Sequence, residues 1–158
     1  MGGLERPAHP QSNPQIVASV NAFQRGEIAL GHYAVAHARN FEVREYGRSM
    51  VSAYTNSDGR LTELARSLAI VPERGVASRR IANEATATQR RLARLGAEAF
   101  DRAYLDAEIT ACSRMLEQLD RTLIPSAGRA DLRNALQLEV RPMVAANLTR
   151  ARNLRERL

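Results

Sequence analysis

The stretch "QIVASVNAFQRGEIALGHYAVAH" (residues 15–37) has the hydrophobic spacing that decides the fold of this chain. Apolar or inward-facing positions recur at alternating steps of four and three residues: Ile16, Val20, Phe23, Glu27, Leu30, Ala34 and His37. A seam of this kind is typical of a helix packed nearly parallel to its neighbours in a bundle. The stretch therefore predicts a long first helix beginning at about Gln15.

Three later stretches repeat the same spacing. The second seam covers residues 43–68, the third residues 100–123, and the fourth residues 132–158, where Pro142 should kink the helix. Residues 72–96 are polar and weakly periodic, which predicts a crossover carrying a less buried helix. Together these patterns predict an all-α, ferritin-like four-helix bundle with a long helical crossover between helices 2 and 3.

The length of 158 residues indicates one domain, which we place at residues 15–158. Residues 1–14 contain three prolines and two glycines and are expected to form an irregular polar lead-in. They show no basic start followed by an apolar run, so no signal peptide is expected in this chain. No apolar run reaches the length needed to span a membrane.

Arginine supplies the whole basic charge of the chain, because 23 arginines occur without a lysine and the formal net charge is +6. A positive excess of this kind favours anionic partners. One group lies in the crossover: Arg79, Arg80, Arg90, Arg91 and Arg94. This group is either a solvated basic face or a contact surface for an anionic partner. Sequence-specific nucleic-acid recognition is disfavoured, because aromatic stacking residues are scarce there.

Each seam is interrupted near its middle by a residue foreign to an aliphatic core. These residues are Glu27, Tyr54, Cys112 and Asn147. Glu27 lies 13 residues before the turn at Asn40 and Tyr54 lies 14 after it, so antiparallel packing puts them at one height. Asn147 is offset from Cys112 by 7 residues about Ser126, or about 10 Å of helix, which leaves its membership of the same layer open.

The segments "MVSAYTNSDGRLTELA", "GAEAFDRAYLDAEITAC" and "RPMVAANLTRARNL", placed after "GEIALG", resemble the bacterial ferritin-like family called domain of unknown function 4142. The resemblance implies a ferritin-like fold and a periplasmic or other extracytoplasmic location, the alternative being the cytoplasm. It also implies histidines at the positions that hold Tyr54, Cys112 and Asn147 here. Only Glu27 matches the family pattern, so the resemblance implies a degenerate centre with no metal.

Glu27 is expected to be a buried, hydrogen-bonded carboxyl partnered by Tyr54 or Asn147, a neutral acid with a raised pKa, or the remnant of a ligand site. Helical geometry separates it from His32 and His37, which cannot share an ion with it. Cys112 is expected to be a small buried apolar residue. With aromatic residues at 4% and tryptophan absent, the core is expected to be aliphatic.

The sequence contains no Glu-x-x-His, which disfavours ferroxidase chemistry, and no serine, histidine and acid constellation. We therefore predict a non-catalytic cell-envelope bundle that acts as a binding or structural module, with no cofactor and with an unknown protein or an anionic envelope component as partner. Two alternatives stay open. One is a metal- or small-ligand-binding protein using Glu27 and Tyr54, and the other is a basic bundle that binds nucleic acid.

Overall fold

The computed structural model of the chain describes residues 9–158, so the predicted lead-in falls outside the described residues up to position 8. Five helices form the described part: α1 (Asn13–His37), α2 (Phe41–Ser67), α3 (Val76–Ala93), α4 (residues 97–126) and α5 (residues 130–156). No strand occurs among residues 9–158. The all-α class predicted from the seams is confirmed.

The helices pair as two antiparallel hairpins joined through α3. α1 packs most extensively on α2, α4 packs on α5, and smaller contacts of α1 with α4 and of α2 with α5 join the hairpins. α3 lies against the outer side of α1 and touches α4. Four long helices with a helical crossover between the second and the third are therefore present, as the sequence predicts, while the ferritin-like label itself stays a prediction.

α1 begins two residues earlier than the sequence predicts. Ser12 Oγ accepts a hydrogen bond from the Gln15 backbone N–H at 3.2 Å, and Gln15 Oε1 accepts one from the Ser12 N–H at 3.0 Å. This reciprocal pair satisfies two of the donors that every helix start leaves free. Pro14 fits inside the first turn, because its missing N–H would be unpaired there anyway. The lead-in prediction erred by taking Pro14 as a boundary.

A buried carboxylate holds the turn between α1 and α2. The Asp101 oxygens, from the first turns of α4, accept hydrogen bonds from the backbone N–H groups of Arg39 (3.0 Å) and Asn40 (2.8 Å). Asn40 in turn caps α2 by accepting from the N–H groups of Glu42 and Val43. Ionised acceptors make the stronger protein hydrogen bonds. Asp101 therefore fixes the first hairpin against α4.

Each helix of the second hairpin contains one π-helical turn just before a proline. In α4 the π turn covers Leu119–Leu123 and precedes Pro125, and in α5 it covers Leu136–Val140 and precedes Pro142. A proline inside an α-helix lacks a donor and clashes with the preceding turn, and a wider turn there relieves both problems. The predicted distortion at Pro142 takes this form, and Pro125 lies inside α4 rather than ending it.

A bidentate ion pair ties the first π turn to the residue that directly follows the second. The Arg141 guanidinium donates to both oxygens of Asp120, at 2.7 and 2.9 Å. The connection between α4 and α5 is centred on Gly128, two residues later than the sequence suggested. This shift brings Asn147 much closer in height to Cys112, because the offset of residues about the turn falls from 7 to 3.

Candidate functional site

The centre of the bundle contains a set of buried polar side chains, which we call the polar centre. α1 contributes one, α2 two, α4 three and α5 one: Glu27, Tyr46, Tyr54, Tyr104, Glu108, Cys112 and Asn147. All seven are buried, and Tyr46, Tyr54, Tyr104, Glu108 and Cys112 are fully inaccessible to solvent. The four residues singled out from the sequence therefore lie in one cluster, together with three others that the prediction did not include.

Glu108 is the partner of Glu27. The two carboxyl groups act on each other through a side-chain hydrogen bond. Since two ionised carboxylates cannot form such a bond, at least one proton is held between them. Glu108 Oε1 also accepts a hydrogen bond from the Tyr104 hydroxyl at 3.4 Å. The predicted partners of Glu27, Tyr54 and Asn147, lie nearby, but Glu108 takes their place.

Burial is the main cause of the raised pKa values of this pair. Desolvation raises the pKa of Glu27 well above its usual range, and the charge and hydrogen bond of Glu108 raise it further. Burial also raises the pKa of Glu108, although hydrogen bonds from Glu27, Tyr104 and Tyr46 partly lower it. The predicted neutral Glu27 with a raised pKa agrees with this arrangement.

The other side chains of the polar centre are also kept in their protonated forms. Burial raises the pKa of the Cys112 thiol and the pKa values of Tyr46, Tyr54 and Tyr104, and the nearby carboxyls add to the effect. None of the causes acting on these groups is a basic side chain. A thiol without a neighbouring cation is not activated as a nucleophile.

Several polar atoms of the centre lack a hydrogen-bond partner among the described residues. They are Glu27 Oε2, Glu108 Oε2, the Tyr54 hydroxyl oxygen and Asn147 Nδ2. The Tyr54 hydroxyl lies beside Cys112 and Asn147 without well-directed bonds to either. Unpartnered polar atoms are uncommon in protein cores and call for a physical explanation. Among the described residues, the polar centre holds four of the six such atoms, and the other two are Asn21 Oδ1 and Gln24 Oε1 on α1.

The polar centre does not fit a metal site. Within residues 9–158 no three histidine, cysteine, aspartate or glutamate side chains meet in an arrangement that could hold an ion. Its two carboxyls bind each other, and its remaining donors are phenols, a thiol and an amide, which do not form a matched ligand set. His32 is exposed, and His37 stacks on the Tyr33 ring at 3.9 Å with its Nδ1 atom 2.9 Å from the Tyr33 carbonyl oxygen.

A cavity of about 470 Å³ approaches Glu27 between α1, α3 and α4. Its α1 wall contains Phe23, Glu27 and Leu30, and three of the eight residues of its α4 wall are alanines. Polar side chains surround the mouth, where Arg114 of α4 pairs with Glu84 of α3 at 3.6 Å. The cavity thus connects Glu27 of the buried carboxyl pair with the protein surface, and α3 forms one of its walls. The sequence did not predict this cavity.

The predicted arginine group lies along the exposed side of α3 and at its C-terminal end, and Arg91 also lines the edge of the cavity. Arg79, Arg80, Arg90, Arg91 and Arg94 are all exposed. None of them forms an ion pair with a residue that the structure describes. Val76, 81% exposed, lines a shallow surface groove with Arg79 and Arg80. We call these five arginines together with Val76 the arginine surface.

Among residues 9–158, fold and site together define an all-α bundle of five helices with a buried polar centre whose titratable groups have raised pKa values. The family model for the domain of unknown function DUF4142 matches residues 4–154, so the chain belongs to that family, as the sequence resemblance predicted. No curated protein and no solved structure matches the chain. Membership therefore identifies the family and assigns no activity.

Proposed function

We propose that the protein is a non-catalytic binding module of the bacterial cell envelope that docks on anionic lipid headgroups through its arginine surface. The observation that carries this proposal is the set of five exposed arginines, four on α3 and one directly after it, which form no ion pairs among the described residues and lie next to an exposed valine. Basic and apolar side chains on one surface suit the interface of an anionic membrane. The envelope location follows the family resemblance.

The absence of catalysis is proposed from the chemistry of the polar centre. A catalytic group needs a pKa near the working pH or an adjacent base, and burial moves the pKa values of Cys112 and the three tyrosines away from neutrality. The centre also has no histidine.

In the described part of the chain, no helix is both long and apolar enough to cross a bilayer, so the proposed lipid contact is peripheral.

We expect the arginine surface to bind vesicles that contain phosphatidylglycerol in phosphatidylcholine. It should not bind vesicles of phosphatidylcholine alone. Each arginine near an anionic surface contributes about 1 kcal/mol, so the triple variant Arg79→Gln/Arg80→Gln/Arg90→Gln should lower the partition coefficient on the order of 100-fold. Co-sedimentation at low salt measures this. Screening should weaken binding by the unchanged protein as salt is added.

The matched control removes three arginines from α2, which faces away from α3, in the variant Arg48→Gln/Arg60→Gln/Arg66→Gln. This control lowers the net charge equally and should lose far less binding. Equal losses in both triple variants would show a general charge effect and overturn the proposed surface. Tighter binding to double-stranded DNA than to the anionic vesicles would overturn the lipid assignment in favour of nucleic acid.

A further inference from the structure

The cavity between α1, α3 and α4 is a second candidate site, which shares only Arg91 with the arginine surface. Its volume of about 470 Å³ lies within the range of small-molecule pockets. Its lining includes four buried apolar side chains, those of Phe23, Leu30, Ile81 and Met115. Ala103, Ala107 and Ala111, spaced four residues apart on α4, create the space by their small size.

Glu27 gives this cavity its chemical character. The side chain lines the cavity, is only 2% exposed, and has one carboxyl oxygen, Oε2, without a hydrogen-bond partner among the described residues. Behind it lies Glu108, which also has an unpartnered Oε2. The groups that act on this pair are carboxyl and phenol groups, and none is basic. The inner end of the cavity therefore offers unpartnered carboxyl oxygens and no positive charge. A ligand with a positively charged hydrogen-bond donor would complement it.

The mouth of the cavity can open at low cost. The ion pair between Glu84 and Arg114 spans it from α3 to α4 at 3.6 Å, and both side chains are largely exposed. Exposed ion pairs of this kind contribute at most about 1 kcal/mol. Asp106, which also lines the cavity, is held by Arg155 at 2.8 Å. Arg91 adds a positive charge at the mouth without an ion pair among residues 9–158, whereas the acidic groups without a basic partner, Glu27 and Glu108, lie inside.

We propose that this cavity binds a small organic amine, whose ammonium group contacts Glu27 and whose apolar body packs against Phe23, Leu30 and Met115. An organic anion would place a second negative group beside the carboxyl pair. A neutral alcohol would gain the apolar contacts without the charge-assisted hydrogen bond. This proposal goes beyond the lipid-docking role and can fail independently of it, because it involves neither Arg79, Arg80 nor Arg90.

Isothermal titration calorimetry with hexylamine as the probe tests the proposal. We expect one hexylamine per chain, and at least about tenfold weaker binding of 1-hexanol and hexanoate, since a hydrogen bond to a charged group contributes about 1.5–3 kcal/mol. Glu27→Gln should weaken hexylamine binding by a similar factor. Ala107→Phe should abolish it by filling the cavity, whereas Ala36→Phe, at an exposed site on α1, should leave it unchanged.

Ala107→Phe keeps the test decisive if Glu27→Gln alters folding, and circular dichroism checks both variants. Equal affinity for hexylamine and 1-hexanol would overturn the amine assignment. Hexylamine binding that survives both variants would overturn the site. Absence of hexylamine binding together with stoichiometric Zn²⁺ or Mn²⁺ binding that requires Glu27 would replace the amine by a metal ion.

Discussion

Replacing both buried glutamates by glutamine, in Glu27→Gln/Glu108→Gln, should make the protein more stable than the original at pH 8 and remove most of its loss of stability with rising pH. Both carboxyls have raised pKa values in the folded state, chiefly through burial. Between the unfolded pKa of about 4.3 and the folded values, the folded chain binds more protons than the unfolded chain. The stability that these protons confer is complete below the unfolded pKa and is lost as the pH rises.

The size of this effect follows from linkage. Each pH unit over which one extra proton is bound changes the free energy of unfolding by about 1.4 kcal/mol. We expect the stability of the double variant relative to the original protein to increase by at least about 2 kcal/mol between pH 4.5 and pH 8. Urea titrations across this range measure it. The control Glu73→Gln/Glu139→Gln, at two exposed positions, should show a difference that stays flat.

A decrease in the relative stability of the double variant with rising pH would contradict this prediction. That result would mean that the two carboxyls are ionised in the folded protein and stabilised by partners. Glutamine is a suitable replacement because its amide preserves the shape of the side chain and can still donate and accept hydrogen bonds.

Replacing Gly31 by valine should destabilise the first hairpin severely. A Cβ atom at Gly31 would lie 2.8 Å from the Gly47 carbonyl oxygen and 2.9 Å from Val51 Cγ2, so α1 and α2 would have to separate. Overpacking of this kind costs about 3 kcal/mol. We expect the melting temperature of Gly31→Val to fall by roughly 10 °C, as followed by circular dichroism.

Gly59→Val is the matched control for Gly31→Val. A Cβ atom at Gly59, which is also helical, meets nothing within 4 Å. Valine and glycine have helix propensities that differ by only a few tenths of a kcal/mol, so this variant should melt within a few degrees of the original protein. Similar melting temperatures for Gly31→Val and Gly59→Val would contradict the close approach of α1 and α2 at this crossing.

The helices could be predicted because the seams are long and regular. The same counting placed Glu27 level with Tyr54, and both belong to the polar centre. The counting left the membership of Asn147 open, because it centred the turn between α4 and α5 on Ser126 rather than on Gly128. Pro125 is accommodated by a π turn, and such a turn depends on how the neighbouring helix packs. Sequence alone therefore could not place that boundary.

Glu108 was recognisable as a seam residue but not as the partner of Glu27. It lies four residues after Tyr104 and four before Cys112, so all three share one face of α4. A second carboxyl in a seam, level with the first, is the pattern that predicts a shared proton. The expectation of an aliphatic core was also wrong at the centre, because Tyr46, Tyr54 and Tyr104 are fully buried there.

The cavity could not be predicted from the sequence, because it depends on the distance between α3 and α4. Gly26 brings α3 close to α1, where a Cβ atom would lie 2.8 Å from Ala85 Cβ. The alanines of α4 leave the opposite wall open. From their spacing alone, these alanines are ordinary helix-forming residues. They line a cavity only because α3 packs beside them.

Infrared spectroscopy of the folded protein at neutral pH tests the central claim most directly. A protonated carboxyl has a carbonyl stretching band that is well separated from the bands of ionised carboxylates. We predict this band in the original protein and its loss in Glu27→Gln/Glu108→Gln, because Glu27 and Glu108 hold a proton between them. A spectrum of the original protein with carboxylate bands alone would contradict the account.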